Sequence, residues 1–300
     1  MLHGVDDPSR RSGRDRAGGV PVWKLRTRDL VLDRPAVMGI LNLTPDSFSD
    51  GGRLPDVAAQ LERAHAFVEA GADLLDIGGE STRPGARPVA PAEELRRLAP
   101  LFERLTEIPA PVSIDTRRAR VAEEALQAGA EVVNDVSGLA HDPEMAGRVA
   151  EWGAGLVLMH MRGDPPTMVE FAHYANVVEE VVEELGVALE RARRAGIEES
   201  RVVLDPGIGF AKDAEQSYAL LAQLARLGAL GRPVLVGPSR KRFLAGEAGL
   251  PPDQRVEGTL AACVAAFERG ARVFRVHDVR SARRALDVAH RIRRAGREDA

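Results

Sequence analysis

Three hundred residues contain a single cysteine, Cys263, and only three lysines, Lys24, Lys212 and Lys241. One cysteine excludes an intramolecular disulfide and any CxxC metal knuckle, and its place in the helical pattern GTLAACVAAFERG makes it a buried small side chain. A reducing cytoplasm fits that usage. Of 41 basic residues, three are lysine and 38 are arginine. A lysine kept inside a motif therefore marks a task for a compact ammonium that a guanidinium does not perform. Charge of one sign is also missing. The net charge is −4, which gives no basic footprint for nucleic acid. No apolar run reaches the length of a membrane span. No serine or cysteine stands at a recognisable spacing from a matching base, so covalent catalysis by a nucleophile is not expected. The opening stretch, MLHGVDDPSRRSGRDRAGG, has few apolar side chains and no apolar h-region. It reads as a disordered tail or an over-called start over residues 1–19, not as a secretory signal.

The most informative stretch that is present is VMGILNLTPDSFSDGG, residues 37–52. An apolar run of strand length flips to polar at Asn42, and Pro45 stops any ladder. Carboxamide, hydroxyl and carboxylate groups follow, with Gly51 and Gly52 permitting unusual backbone angles. Taken alone, the segment is also a plausible surface turn, since Asn, Asp, Ser, Gly and Pro are turn formers. The recurrence of the pattern decides in favour of a site.

Hydrophobic residues make up 44% of the chain, enough for a sizeable core in one barrel or two medium domains. Eight short apolar runs recur, at 37–41, 74–77, 112–114, 131–133, 156–159, 202–204, 234–236 and 273–276. Helical spacing fills the intervals, as in 57–69, 176–195 and 256–268. Four junctions share one signature: EAGADLLDI, QAGAEVVND, EWGAGLVLM and ERGARVFRV. Each offers a glycine for a left-handed helix cap just before a strand. Eight strand–helix units in about 260 residues predict an α/β fold of the (β/α)8 barrel type, a single domain over residues 20–300. The stretch 23–32 is expected to close the bottom of the barrel.

Barrel chemistry sits at the carboxyl ends of the strands. Those ends carry Asn42, Asp76, Asp115, Asn134 with Asp135, Met159 with His160, Asp205, Lys241 and, last, Arg275 with His277. Thr82 and Arg83 lie on the loop after the second strand. Asp115, Asn134 and Asp205 suit a flat, N–H-rich heterocycle, because carboxylates accept paired hydrogen bonds. Arg83, Lys241, Arg275 and His277 suit phosphate or carboxylate. A phosphate-bound Mg²⁺ needs few protein ligands, and Asn42 or Asp50 supplies a suitable oxygen.

Taken together, the segments NLTPDSFSDGG, DIGGESTRPGA, SIDT, VVNDVSGL, LMHM, LDPGIGFAK, SRKRF and RVHDV resemble the dihydropteroate synthases. They run in that family's order and cover residues 32–294. The resemblance implies a (β/α)8 barrel, a cytoplasmic homodimer built through its late helices, and a sulfonamide target. It implies a transferase that joins p-aminobenzoate to C9 of 6-hydroxymethyl-7,8-dihydropterin diphosphate and releases pyrophosphate. Carried over by position, Asp115, Asn134, Asp205 and Lys241 correspond to the pterin-binding set, and Met159 and Arg275 to the two faces enclosing the ring. Asn42, Thr82, Arg275 and His277 correspond to the diphosphate site, with Asn42 at the Mg²⁺. Phe48, Thr82, Arg83, Pro84, Phe210 and Arg242 correspond to the p-aminobenzoate enclosure. Asp50, Lys241, Arg275 and His277 are the residues expected to act on the chemistry.

Some positions depart from the family's commonest pattern. Ala211 and Asp213 stand where Gly and Thr are usual, Gln216-Ser217 replaces His-Asn, and Arg242 replaces a Ser. The first two changes are expected to affect loop shape only. Two rival readings remain at this level. A corrinoid-linked pterin methyltransferase would share SIDT-like and LDPG-like segments but not NLTPDSFSDGG, SRKRF and RVHDV together. A non-catalytic pterin-binding paralogue would have lost leaving-group residues that are all present here.

Overall fold

The computed structural model describes residues 19–43, 56–83, 85–86 and 88–298. A short antiparallel hairpin opens it, β1 (Val22–Lys24) paired with β2 (Asp29–Val31). Eight parallel strands follow: β3 (Ala36–Asn42), β4 (Leu74–Gly78), β5 (Val112–Asp115), β6 (Val132–Asp135), β7 (Gly155–Met159), β8 (Val202–Asp205), β9 (Val234–Val236) and β10 (Ala271–Val276). They close in the order β10-β3-β4-β5-β6-β7-β8-β9. All eight runs read from the sequence are strands of this barrel. The fourth barrel strand, β6, starts at Val132 and not at Glu131. The Glu131 carboxylate instead accepts from the Thr27 amide at 2.7 Å and Arg28 Nε at 3.1 Å, which ties the hairpin to the barrel.

Around the barrel run α1 (Val57–Glu69), α2 (Pro91–Phe102), α3 (Ala119–Ala128), α4 (Met145–Trp152), α5 (Val177–Arg194), α6 (Ala214–Ala222), α7 (Val256–Glu268) and α8 (Val279–Glu298). Their starts follow from local chemistry. Asp56 caps α1 by accepting from the Ala59 amide at 2.8 Å, and Asn176 caps α5 through the Val178 and Glu179 amides. Helix α5 also carries Glu179 and Glu180 in its first turn and three arginines in its last, matching the helix dipole. At the four repeated junctions Gly71, Gly129, Gly153 and Gly270 all take positive φ, between 56° and 115°, which a residue with a Cβ resists.

Two apolar layers hold the molecule. The larger lies between strands and helices and contains Cys263, fully buried on α7. The smaller fills the barrel's lower interior with Ala36, Met38, Leu74, Val132, Val157, Val203, Leu235 and Val273. Trp23, Leu25 and Leu32 plug it from below, and Trp23 Nε1 donates to the Arg201 carbonyl at 2.8 Å. The stretch 23–32 therefore does close the bottom of the barrel, and the upper interior is left to polar side chains. Among the described residues, no helix is long and apolar enough to cross a membrane.

Candidate active site

Alternation along the strands decides which side chains enter the barrel. Directly above the apolar layer, β4, β5, β6 and β10 present Asp76, Ser113, Asn134 and Arg275. Arg275 Nε donates to Asp76 Oδ2 at 2.5 Å, and its Nη2 donates to Asp115 Oδ2 at 2.7 Å. Asn134 Nδ2 donates to the same Asp76 oxygen at 3.0 Å. The second oxygens of both carboxylates, Asp76 Oδ1 and Asp115 Oδ1, are buried without a partner, as is Ser113 Oγ. Unpaired buried acceptors are costly, so three of them clustered on the adjacent strands β4 and β5 indicate a place where donors arrive from outside the chain. Burial pushes the Asp115 carboxyl up to about 7, against the pull of Arg275. Asp76 was legible only as a strand end. Its role as a shared acceptor depends on a partner from the opposite end of the chain.

The next strands complete the rim. Met159 ends β7, buried, in register with Asp205 of β8. Asp205 Oδ1 accepts from the Gly207 amide at 2.7 Å, and burial raises its pKa despite the Lys241 charge facing it. Lys241 Nζ donates to the Ile208 carbonyl and sits 4.4 Å from the centroid of the Phe210 ring. Burial, opposed by Asp205, pushes Lys241 down to about 8. Asp115, Asn134, Met159, Asp205, Lys241 and Arg275 thus share one rim, as the sequence predicted.

On the other side of the mouth, the His277 and Ser239 side chains meet at 2.9 Å, and the His277 amide donates to Ser239 Oγ at 3.1 Å. The hydroxyl is thus an acceptor from the amide and a donor to Nδ1, which leaves the imidazole proton on Nε2. Burial and the nearby guanidinium groups of Arg275, Arg240 and Arg83 push His277 down to about 3, so it is a neutral donor. Asn42 ends β3, the strand next to β10, half-buried and paired in register with Gly78. Thr82 is half-buried and Arg83 exposed on the loop after β4. That loop is tethered twice: the Gly85 amide donates to the Pro165 carbonyl at 2.9 Å, and the Val89 amide to Glu80 Oε1 at 2.9 Å. Glu80 is in turn paired with Arg118 at 3.0 Å.

Three predicted positions, Phe48, Asp50 and Pro84, lie outside the described residues, as do residues 1–18 of the proposed tail. Arg242 is exposed at the start of a short 3-10 turn. The departures after Phe210 have a definite task. Asp213 and Gln216 form a reciprocal cap on α6, with Gln216 N to Asp213 Oδ1 at 2.8 Å and Asp213 N to Gln216 Oε1 at 2.9 Å. The Asp-x-x-Gln spacing is itself a capping signature and makes these residues more than loop filler. Ala211 takes φ of 49°, a glycine-like conformation in a residue with a Cβ.

Comparison with known proteins places this geometry. The family model described as pterin binding enzyme matches residues 38–277. A dihydropteroate synthase of Synechocystis sp. is 47% identical over 258 residues, covering 85% of this chain and 89% of the relative. The solved Xanthomonas albilineans dihydropteroate synthase with 4-aminobenzoic acid is 46% identical and superposes with a TM-score of 0.85, covering 92% of this chain and 99% of that one. The same enzyme in complex with 7,8-dihydropteroate gives 43% identity and a TM-score of 0.82, over 91% and 99% of the two chains.

Proposed function

The chain belongs to the dihydropteroate synthases, transferases among the pterin-binding enzymes, and from that premise we propose a role for each rim residue in the condensation of 6-hydroxymethyl-7,8-dihydropterin diphosphate with p-aminobenzoate. The observation that carries the assignment is the cluster of unpartnered acceptors on β4 and β5, Asp76 Oδ1, Asp115 Oδ1 and Ser113 Oγ, beside Asn134 and Arg275. A pterin edge rich in N–H groups answers that need. Asp115, Asn134, Asp205 and Lys241 bind the edge, and Met159 and Arg275 enclose the ring. Thr82, Arg83 and Phe210 receive p-aminobenzoate with Phe48 and Pro84, and Arg242, exposed next to Lys241, is a further cation for its carboxylate.

The aniline amine is neutral and nucleophilic near neutral pH, so the reaction needs no strong base. The demanding event is cleavage of the C9–O bond. Donors aimed at the leaving diphosphate lower that barrier. Neutral His277, donating through Nε2, together with Arg275, Thr82 and Asn42, supplies them. Asp205 and Asp115 hold the pterin so that positive character at C9 spreads into the ring, and Asp50 is the loop carboxylate that offsets it.

Among the described residues no group of three His, Cys, Asp or Glu side chains could hold a metal ion. The donor set instead fits a Mg²⁺ carried by the substrate diphosphate, with one hard oxygen from Asn42. When bound, that ion neutralises charge on the leaving group. A homodimer through the late helices is supported by Val288 and Ile292, exposed one turn apart on α8. A cytoplasmic site of action agrees with the lone buried thiol, which burial pushes up to about 12. The deciding experiment is pyrophosphate release by the purified chain. Both substrates and Mg²⁺ together should give turnover, and omission of either substrate should abolish it. Release without p-aminobenzoate would overturn the assignment.

A further inference from the structure

Two of the three lysines donate into one short strap, residues 208–212, that follows β8. Lys241 Nζ donates to the Ile208 carbonyl, and Lys212 Nζ donates to the Phe210 carbonyl at 2.9 Å. Lys212 is 8% exposed, and its ammonium also donates to His160 Nδ1 at 2.8 Å. A ring nitrogen that accepts from an ammonium carries no proton, so the His160 proton lies on Nε2. That nitrogen donates to Glu184 Oε2 at 2.9 Å, and Arg162 Nε holds the other Glu184 oxygen at 3.0 Å. A polar chain, buried at His160 and Lys212 and reaching solvent at Glu184, thus runs from α5 past the end of β7 to the strap. Burial lowers the pKa of both Lys212 and His160, His160 to about 4, so the chain is costly to keep.

The strap needs an external hold. Ala211 sits in it with positive φ, next to the carbonyl that Lys212 grips. Just before the strap, Gly207 presses on the residue that follows β7: a Cβ there would lie 1.9 Å from the His160 carbonyl oxygen. Phe210 is the side chain that this conformation presents to Lys241.

We propose that Lys212 is a positioning residue for Phe210. Its ammonium, oriented by His160 and Glu184, fixes the strap so that the Phe210 ring stays against Lys241 and closes the p-aminobenzoate side of the mouth. The inference rests on the assignment of Phe210 in the proposed function. It also explains why a lysine is kept here in an arginine-rich chain. Two acceptors and the face of Tyr174, 5.9 Å away, surround a compact ammonium, and a planar fork does not match them.

The test is steady-state pyrophosphate release with each substrate varied in turn. Wild-type turnover tests the functional assignment by itself, and the inference is read only from ratios to wild type. Lys212→Met and Lys212→Arg should each raise KM for p-aminobenzoate at least about tenfold while KM for the pterin diphosphate stays within about twofold. His160→Leu should do the same. His160→Gln keeps an acceptor for Nζ and a donor for Glu184, and should stay near wild type. If Lys212→Met does not fold, the His160 pair carries the comparison. Equal increases in both KM values, a loss confined to melting temperature, or identical behaviour of His160→Leu and His160→Gln would overturn the inference.

Discussion

Arg275 and Asp76, 199 positions apart in the chain, form one ion pair across the barrel interior, Nε to Oδ2 at 2.5 Å. The carboxylate that fixes the guanidinium is fully buried and also takes the Asn134 amide. One side chain on β4 therefore sets the position of two proposed pterin contacts on β10 and β6.

Asp76→Asn should be damaging although it keeps the shape. It leaves Arg275 with Asp115 as its only carboxylate partner among the described residues. Removing one member of a buried pair costs about 3 kcal/mol. Denaturant unfolding should register that loss, and kcat/KM for the pterin diphosphate should fall more than that for p-aminobenzoate. Wild-type values in both measurements would show that Asp115 alone holds Arg275.

Lys241→Arg should cripple turnover while keeping the charge. The ammonium meets the Ile208 carbonyl, the face of the Phe210 ring and the charge of Asp205, a set that suits a compact point charge and not a planar fork. Single-turnover kinetics at saturating substrate should show a loss of at least about a hundredfold, near 2.7 kcal/mol. Near wild-type turnover would mean that only charge is required at this position.

The barrel was legible because its signals are local. Each of Gly71, Gly129, Gly153 and Gly270 marks a helix end, and each apolar run bounded by polar residues marks a strand. The rim was legible because topology sends every strand end to one face, so Asp115, Asn134, Asp205 and Lys241 needed no knowledge of distance. What stayed hidden depends on cross-barrel pairing. Nothing near Asp76 in the chain announces Arg275, and nothing near Lys212 announces His160 or Glu184. The Asp213–Gln216 cap lies between these cases: the spacing was present in the sequence and pointed to a helix start.

Ala211→Gly should stabilise the protein. A left-handed alanine costs about 1–2 kcal/mol, and a glycine returns about 0.4–1 kcal/mol of that through the looser unfolded chain. The expected gain is about 0.5–1 kcal/mol by denaturant unfolding with an unchanged m-value. A loss of stability would show that the alanine methyl packs favourably enough to offset its backbone strain; Ala211 is 1% exposed, which makes the sign informative.

The pH profile of kcat/KM should be narrow, because two rim groups carry shifts toward neutrality. Asp115 is held up to about 7 and Lys241 down to about 8. If the pterin edge needs a carboxylate at one and an ammonium at the other, kcat/KM for the pterin diphosphate falls below pH 7 and again above pH 8. Asp115→Asn should remove the acid limb while lowering the plateau. The same shifts act on stability in the opposite sense. A raised carboxyl favours the native state most below its unfolded pKa near 3.9, and that contribution is gone once pH passes about 7. A lowered ammonium favours the native state most above its unfolded pKa near 10.4, and that contribution is lost as pH falls through about 8. Between pH 7 and 8 both groups are charged, and neither lends the fold that support. Activity should therefore peak where these two residues stabilise least. Asp115→Asn should also weaken the pH dependence of stability between pH 4 and 7, as measured by denaturant unfolding. A flat activity profile from pH 6 to 9 would show that neither group changes charge in the free enzyme over that range.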